Sequence, residues 1–225
     1  MKFQSANKTF TIDLVEQNYQ IGGHRLRLFR VHNLDELVDQ VGEEQFMLDE
    51  RMPYWAELWP SAIGLARYIT GHIQVIKDKN VLELGCGLGL TSMAAALCKP
   101  KRLLVTDYEQ DALDLTRKNF GLNGIALPEL SLLDWRDANP EQRYDVILAA
   151  DILYEERFFA PLRRLFDLYL EQGGRILIAE PDRPVARKFF EGFAEYGFAW
   201  SAQTMQMEQD GRPIRVHIFR IHRKL

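Results

Sequence analysis

From Asn80 onward, short apolar runs alternate with longer amphipathic stretches. The apolar runs are Val81–Leu84, Leu103–Thr106, Leu130–Leu133, Val146–Ala150 and Ile176–Ala179. The stretches between them carry apolar residues at helical spacing, over Thr91–Cys98, Gln110–Leu122, Glu155–Leu170 and Pro184–Tyr196. A buried strand that recurs after each helix returns to the same sheet in the same direction, so this order predicts an α/β fold. We expect a mostly parallel, doubly wound sheet with helices on both faces.

Two further strand-like segments at the C-terminal end break this alternation. They are Phe198–Met205 and Arg215–His222, and only a polar turn containing Gly211 separates them. A short connection of this kind joins antiparallel strands. The last strand is therefore predicted to be antiparallel, and the two segments together with the five earlier runs predict a seven-stranded sheet.

The N-terminal residues predict a smaller extension. Thr9–Val31 alternates apolar and polar residues around Gly22-Gly23, which is typical of a β-hairpin. Asn33 is the predicted N-cap of a short helix. The apolar positions of that helix are Leu34, Leu37, Val38 and Val41.

The boundary between this extension and the rest of the chain is predicted near Pro53. An acidic stretch from Glu43 to Glu50 leads to it, and a helix around Ile63–Ile69 that stops at Gly71 follows it. We expect residues 1–53 to form a hairpin and helix extension, which is a candidate lid. Residues 54–225 are expected to form the main domain.

Composition and charge narrow the class of protein. Of the 225 residues 47% are hydrophobic, enough for one substantial core, and the net charge of -4 offers no basic patch for nucleic-acid phosphates. Cys86 and Cys98 are too few for a disulfide framework, and the five histidines share no metal-ligand spacing, so no metal site is predicted. No apolar run reaches the roughly 18 residues of a membrane span or forms a signal peptide. We expect a cytoplasmic protein that binds neither nucleic acid nor a membrane.

The loop after the first parallel strand carries glycines at alternate positions, Gly85, Gly87 and Gly89. In open parallel sheets, ligands bind beyond the carboxyl ends of the strands, and glycines there let the backbone turn sharply and approach a ligand closely. A dinucleotide fingerprint needs another glycine three residues after the second one, where this chain has Leu90. The loop therefore argues against a nicotinamide cofactor.

Acidic residues around three strand ends indicate the parts of a different cofactor. Glu83, beside the glycine loop, suits a cofactor with an amino-acid tail, which offers an ammonium group in place of phosphates. Asp107 ends the second strand, where a carboxylate can accept hydrogen bonds from both ribose hydroxyls. After the third strand, Asp134 can accept an adenine amino proton beside the apolar ring of Trp135. The three strand ends thus predict sites for methionine, ribose and adenine.

On these residues the sequence resembles the class I, seven-β-strand S-adenosylmethionine-dependent methyltransferases, whose sheet is Rossmann-like. More narrowly, it looks like the group that contains many protein-lysine methyltransferases. The narrower resemblance covers about Trp55 to Glu180 and rests on Trp55–Ala62, Val81–Leu90, Val105–Asp107, Asn119 with Asn123, Asp134-Trp135 and Ala149–Tyr154. It implies S-adenosyl-L-methionine as the cofactor and a protein lysine as the methyl acceptor.

The resemblance also implies roles for individual residues. The positions that match the group's cofactor contacts are Trp59, Gly85, Cys86, Gly87, Asp107, Trp135 and Ala150. The group's acid-x-x-Tyr motif matches Asp151 to Tyr154. These two residues are the predicted catalytic pair.

Methyl transfer is an in-line displacement, so its main requirement is alignment of the acceptor lone pair. A channel of Trp55, Trp59 and Tyr154 would lower the pKa of an acceptor lysine by desolvation. We expect Asp151 to orient the amine or the cofactor and Tyr154 to hold the nitrogen, with general-base chemistry as the less favoured role. In the alternative interpretation, Asp151 only caps the next helix and Tyr154 only packs beneath it.

Other functions stay open at this point. A small-molecule methyltransferase would use the N-terminal extension as a lid, and a catalytically silent cofactor-binding or scaffold protein would keep the fold alone. The presence of Asp107 and Asp134 disfavours this silent protein, because sequence drift would be free to remove them. A nicotinamide-dependent oxidoreductase shares the fold class but needs the missing glycine. An acidic rim indicates either a basic partner or an ordinary solvated face; its residues are Glu43, Glu44, Asp49, Glu50 and Glu57.

Overall fold

The computed structural model describes residues 2–5, 8–11, 13–39, 53–193, 195–209 and 211–224. The strands of its main sheet are β5 (Asn80–Leu84), β6 (Arg102–Asp107), β7 (Glu129–Leu132), β8 (Tyr144–Ala150), β9 (Leu170–Glu180), β10 (Phe198–Gln209) and β11 (Arg212–Arg223). These seven strands lie in the order β10-β11-β9-β8-β5-β6-β7. Strands β5 to β9 are parallel, and β11 is antiparallel to both of its neighbours. The predicted fold class is confirmed.

Helices cover both faces of the sheet. They are α2 (Pro60–Gly71), α3 (Leu90–Leu97), α4 (Gln110–Leu122), α5 (Phe159–Tyr169) and α6 (Pro184–Glu191). A further helix, α1 over residues 34–39, lies apart from them, and its Leu37 clusters with Val31 of the N-terminal region. One core cluster contains buried side chains of α2, α3 and α4, and a second contains those of α5 and α6. Within the described residues, no helix is both long and apolar enough to cross a membrane.

Two predicted helices are shorter in the structure. The predicted Glu155–Leu170 helix is a 3₁₀ turn, Glu156–Phe158, followed by α5, and Leu170 already belongs to β9. Leu170 is fully buried and pairs with β8, so sheet pairing overrides the helical pattern at that residue. The helix predicted to reach Tyr196 ends at Glu191, before Gly192, a residue type of low helix propensity.

The N-terminal hairpin is formed by β3 (Leu14–Ile21) and β4 (His24–Val31), which pair around the predicted Gly22-Gly23 turn. The single alternation predicted from Thr9 was wrong at its start, because β2 (Lys8–Thr11) pairs with β1 (Lys2–Ser5) in a separate two-stranded sheet. Asn33 caps α1 as predicted, since its Oδ1 accepts hydrogen bonds from the next helical amides. Val41 and the acidic stretch from Glu43 to Glu50 lie outside the described residues.

The hairpin packs on the main domain through apolar side chains and through two asparagines of α4. Leu26 and Leu28 of β4 are buried in the same core cluster as α2. Asn119 accepts a hydrogen bond from Phe29 N at 2.7 Å and donates to Phe29 O at 3.2 Å. Asn123 bonds Arg27 N and Arg27 O in the same way, at 2.8 and 2.7 Å. The two amides therefore satisfy the outer edge of β4 as a neighbouring strand would.

We expect Asn119→Ala to lower the free energy of unfolding by about 2 to 3 kcal/mol, because it leaves buried backbone groups without partners. Asn119 also donates to Leu88 O at 2.9 Å, so the change affects the glycine loop as well as the hairpin. Urea denaturation measures the loss. Asn18→Ala is the control, because Asn18 is exposed on the same hairpin and bonds only Arg25 among the described contacts. Equal effects of the two substitutions would contradict the role of α4 as the docking edge.

Candidate active site

A cleft opens at the carboxyl ends of β5, β6 and β8, which are adjacent in the sheet. Strand β5 lies where the strand order reverses, so the connections on its two sides leave in opposite directions and make room for a ligand. All but one of the predicted site residues line this cleft: Trp59, Glu83, Gly85, Cys86, Gly87, Asp107, Trp135, Ala150, Asp151 and Tyr154. The fold thus brings together residues that are far apart in the chain, and their roles stay predictions.

The glycine loop is held in one shape by its own backbone. The φ angles of Gly85, Gly87 and Gly89 are +66°, +51° and +79°, a region that side chains with a Cβ rarely adopt. Gly89 N donates to Cys86 O at 2.8 Å, and the Thr116 hydroxyl donates to Gly87 O at 3.0 Å. The loop therefore lines the cleft without a Cβ atom at Gly85 and Gly87.

Two buried carboxylates flank the glycine loop. Asp107 accepts hydrogen bonds from Gly87 N at 2.9 Å and from Glu109 N at 3.0 Å, which orient it. Burial raises the pKa of Asp107, and these backbone bonds offset part of the rise. Glu83 accepts a hydrogen bond from Ser92, and burial raises its pKa from 4.5 to about 8. A ligand that brings hydroxyl or ammonium donors to these oxygens would offset their desolvation.

Aromatic side chains form another wall of the cleft. The Tyr54 ring lies 5.1 Å from the Tyr154 ring and 6.3 Å from the Trp59 ring, between centroids. Phe158 continues the wall, 6.3 Å from Tyr154 and 5.4 Å from Trp135. Trp59 is fixed by a hydrogen bond from its Nε1 to Tyr54 O at 2.9 Å. An aromatic wall of this kind excludes water from the part of a ligand that lies against it.

Asp151 lies in a turn of unusual backbone conformation at the end of β8. Its φ is +63°, in the left-handed region, and its amide donates to Ala179 O at 2.9 Å. The carboxylate is 4% exposed and forms an ion pair with Arg183, which also pairs with the buried Glu180. Such backbone strain persists only where the surrounding structure holds it, and it is concentrated at functional sites.

Tyr154 keeps its proton in this cleft. Burial raises the pKa of the phenol above its ordinary value of 10.0, and the Glu155 carboxylate adds to the rise. The hydroxyl is therefore neutral at physiological pH and is able both to donate and to accept a hydrogen bond. This state suits the predicted role of holding a nitrogen, and it disfavours the phenolate as a base.

Asp134 is the predicted site residue that does not line the cleft. It caps the 3₁₀ turn Trp135–Asp137, and its two carboxylate oxygens face the Arg136 guanidinium at 2.7 to 3.0 Å. An adenine amino group would have to compete with this ion pair. Trp135 itself does line the cleft, so the apolar half of the predicted adenine site is in place.

A sequence profile described as lysine methyltransferase matches residues 49–195 of this chain. The chain belongs to the lysine methyltransferase family. The match spans the cleft from the Trp59 segment to α6, so every cleft residue described above lies inside the family region.

Curated relatives of this lysine methyltransferase family member act on protein substrates according to their names. The electron transfer flavoprotein beta subunit lysine methyltransferase of Rattus norvegicus is 32% identical over 136 residues, which are 59% of this chain and 52% of the relative. The protein-lysine methyltransferase METTL21E of Mus musculus is 31% identical over 166 residues, 68% of each chain. The chain spans about half the length of the first of these relatives.

Solved structures share the fold. A putative RNA methyltransferase from Pyrococcus horikoshii superposes with a TM-score of 0.60 over 76% of this chain and 87% of that chain, at 21% identity. At this identity the likeness shows the fold alone.

Sequence reasoning missed several residues of the site. Tyr54 and Phe158 complete the aromatic wall, and Glu180 with Arg183 holds Asp151. One signal was available for Glu180, because it ends a parallel strand just as Asp107 does. Arg183 carries no local signal, since its pairing depends on two strand ends that are distant from each other in sequence.

Proposed function

We propose that this protein transfers a methyl group from S-adenosyl-L-methionine to a lysine side chain of a protein. One observation carries the proposal: a single cleft has a glycine loop with Asp107 on one side and an aromatic wall with Asp151 and Tyr154 on the other. The first side suits a cofactor with ribose and an amino-acid tail, and the second suits an amine that has lost its hydration.

The residues of the first side fit the cofactor. A side chain at Gly85 would have its Cβ 3.3 Å from Ile152 and 3.6 Å from Trp135, so the glycine keeps the cleft open beside the ring. Asp107 is oriented by backbone amides, which leaves its carboxylate able to accept hydrogen bonds from a ribose diol. Glu83 is buried beside the loop and gains a counter-charge when an ammonium group binds.

The residues of the second side prepare the acceptor. The bound cofactor supplies an electrophilic methyl group, so the protein has to deliver a neutral amine in line with it. Desolvation by Trp59, Tyr54 and Phe158 lowers the pKa of a lysine amine that lies against them. Tyr154 holds the nitrogen by a hydrogen bond, and Asp151 orients it. The proton leaves to water before attack, so neither residue needs to act as the base.

Calorimetric titration with S-adenosyl-L-methionine tests the cofactor. We expect Asp107→Ala to weaken binding at least tenfold, about 1.4 kcal/mol, because it removes the ribose acceptor. Asp114→Ala is the matched control, since Asp114 is a surface carboxylate of α4 that pairs with Arg117. NADH serves as the control ligand. Binding of NADH in place of the sulfonium compound would overturn the proposal.

Transfer of a labelled methyl group from the cofactor to a cell extract tests the acceptor. We expect label in protein, recovered as methyl-lysine after acid hydrolysis. Label confined to the small-molecule fraction would favour the metabolite alternative, in which the N-terminal extension acts as a lid. Tight cofactor binding without transfer to either fraction would favour the silent cofactor-binding alternative.

A further inference from the structure

Three charged side chains meet where β8 and β9 end beside the cleft. Asp151 follows β8, Glu180 ends β9, and Arg183 is the N-cap residue of α6. One guanidinium nitrogen of Arg183 donates to Asp151 Oδ1 and to Glu180 Oε1, the latter at 3.1 Å. The side chains of the two acids are 4% and 1% exposed, so the cluster is buried on its carboxylate side.

Two of the four carboxylate oxygens of the cluster have no donor among the described residues. Asp151 Oδ2 and Glu180 Oε2 are buried, and neither has a hydrogen-bond partner among the described residues. Two carboxylates share one guanidinium, which leaves a net negative charge when both are ionised. Buried groups of this kind are costly to leave unpaired, and a fold retains them where a ligand or a proton completes them.

Few other charged groups face Glu180. Its register partner on the neighbouring strand β11 is His217, and Asp182 lies in the turn between Glu180 and Arg183. Asp182 pairs with Arg187 at 3.0 Å and lies 3.8 Å from His217. Asp182 therefore has a cationic partner of its own, and Arg183 is the cation shared by Asp151 and Glu180.

We propose that Arg183 and Glu180 are positioning residues for the methyl acceptor, which act by fixing the Asp151 carboxylate at the edge of the cleft through its Oδ1 atom. This inference rests on the proposed function, in which Asp151 orients a lysine. Arg183 fixes Asp151 directly. Glu180 acts through Arg183, because it accepts a hydrogen bond from the same guanidinium nitrogen and so keeps the guanidinium from turning toward solvent.

The protonation state of Glu180 then controls the orientation of Asp151 on the acceptor side of the cleft. Desolvation raises the pKa of Glu180 to about 7, with Arg183 opposing the rise and Asp151 adding to it. Above this pH the ionised carboxylate holds Arg183 in place. Below it, the protonated carboxyl group loses most of its attraction for the guanidinium, and Asp151 loses its fixed orientation. Glu180→Gln mimics the protonated state at every pH.

The test compares wild type with Glu180→Gln in labelled-methyl transfer to total extract protein at saturating cofactor. Titration of the acceptor amine affects both enzymes equally, so the ratio of their rates isolates Glu180. We expect the ratio to rise from about 1 near pH 6 to about 10 near pH 8. Calorimetry with S-adenosyl-L-methionine should give dissociation constants within about twofold of each other, because the cluster lies on the acceptor side.

Arg183 variants supply the second comparison. We expect Arg183→Lys to retain more transfer than Arg183→Met, since lysine keeps a cation that can donate to both carboxylates and methionine does not. Arg187→Met is the matched control, because Arg187 lies on α6 one turn further and is 64% exposed. A rate ratio that stays constant with pH would overturn this inference while leaving the proposed function intact. Absence of any transfer by wild type would overturn the proposed function and this inference with it.

Discussion

Gly89→Ala is expected to lower the free energy of unfolding by about 3 kcal/mol and to remove measurable cofactor binding. The residue has a φ of +79°, and a Cβ built there lies 2.8 Å from both Oγ1 and Cγ2 of Thr116. Thr116 is fully buried, so it cannot move away freely, and its hydroxyl bonds Gly87 O. Any shift of Thr116 therefore distorts the loop. Thermal unfolding and calorimetry with S-adenosyl-L-methionine measure the two effects.

Gly124→Ala is the matched control for this prediction. Gly124 also has a positive φ, +62°, but an added Cβ there meets no atom within 4 Å. It carries the backbone penalty without the clash, so we expect a loss of about 1 kcal/mol and unchanged cofactor binding. If both substitutions reduced stability equally, the close approach of the loop to Thr116 would not be what requires a glycine.

Glu83→Gln is expected to stabilise the protein at alkaline pH and to weaken cofactor binding. The pKa of Glu83 is raised from 4.5 to about 8, so the folded state holds a proton that the unfolded state releases. The stability this group contributes is complete below about pH 4.5 and is lost as pH rises through about 8. Glutamine removes that loss and still accepts a hydrogen bond from Ser92. The gain near pH 9 should be on the order of 5 kcal/mol.

Urea denaturation near pH 5 and near pH 9 measures this effect, and Glu129→Gln is its control. Glu129 is a surface carboxylate whose side chain is 51% exposed, so its replacement should change stability little at either pH. Cofactor binding should weaken only in Glu83→Gln, because the amide cannot neutralise an ammonium group. A Glu83→Gln protein that loses stability at alkaline pH would show that the carboxylate is ionised and paired in the fold.

Local patterns were enough to predict most elements. Helix α4 has the predicted bounds, Gln110 to Leu122, because its apolar spacing, its turns and its burial all agree. The strands were found because a buried parallel strand is a short continuous apolar run. Their ends were less accurate, as β9 shows: it begins at Leu170, which pairs with Tyr144 of β8, and the polar and glycine residues 171–174 that follow have no apolar strand pattern.

The residues on the cofactor side of the cleft could also be predicted from the sequence. Gly85, Gly87 and Asp107 follow directly from strand ends, and the sheet brings the ends of neighbouring parallel strands to one edge. Asp134 shows the limit of this reasoning. It follows a strand end as predicted, but its neighbour Arg136 takes up its carboxylate, and no spacing rule reports the direction in which a side chain turns.

By itself, then, the sequence determined the order of the elements, the antiparallel direction of β11 and the set of strand ends that carry polar groups. These are consequences of periodicity and of chain connectivity, which are local properties. Only the tertiary structure decided that β11 lies between β10 and β9, that Asn119 and Asn123 satisfy the edge of the N-terminal hairpin, and that Arg183 joins Asp151 to Glu180. Each of these contacts joins segments distant in the chain, so their pairing depends on burial and charge compensation between elements, which local patterns do not report.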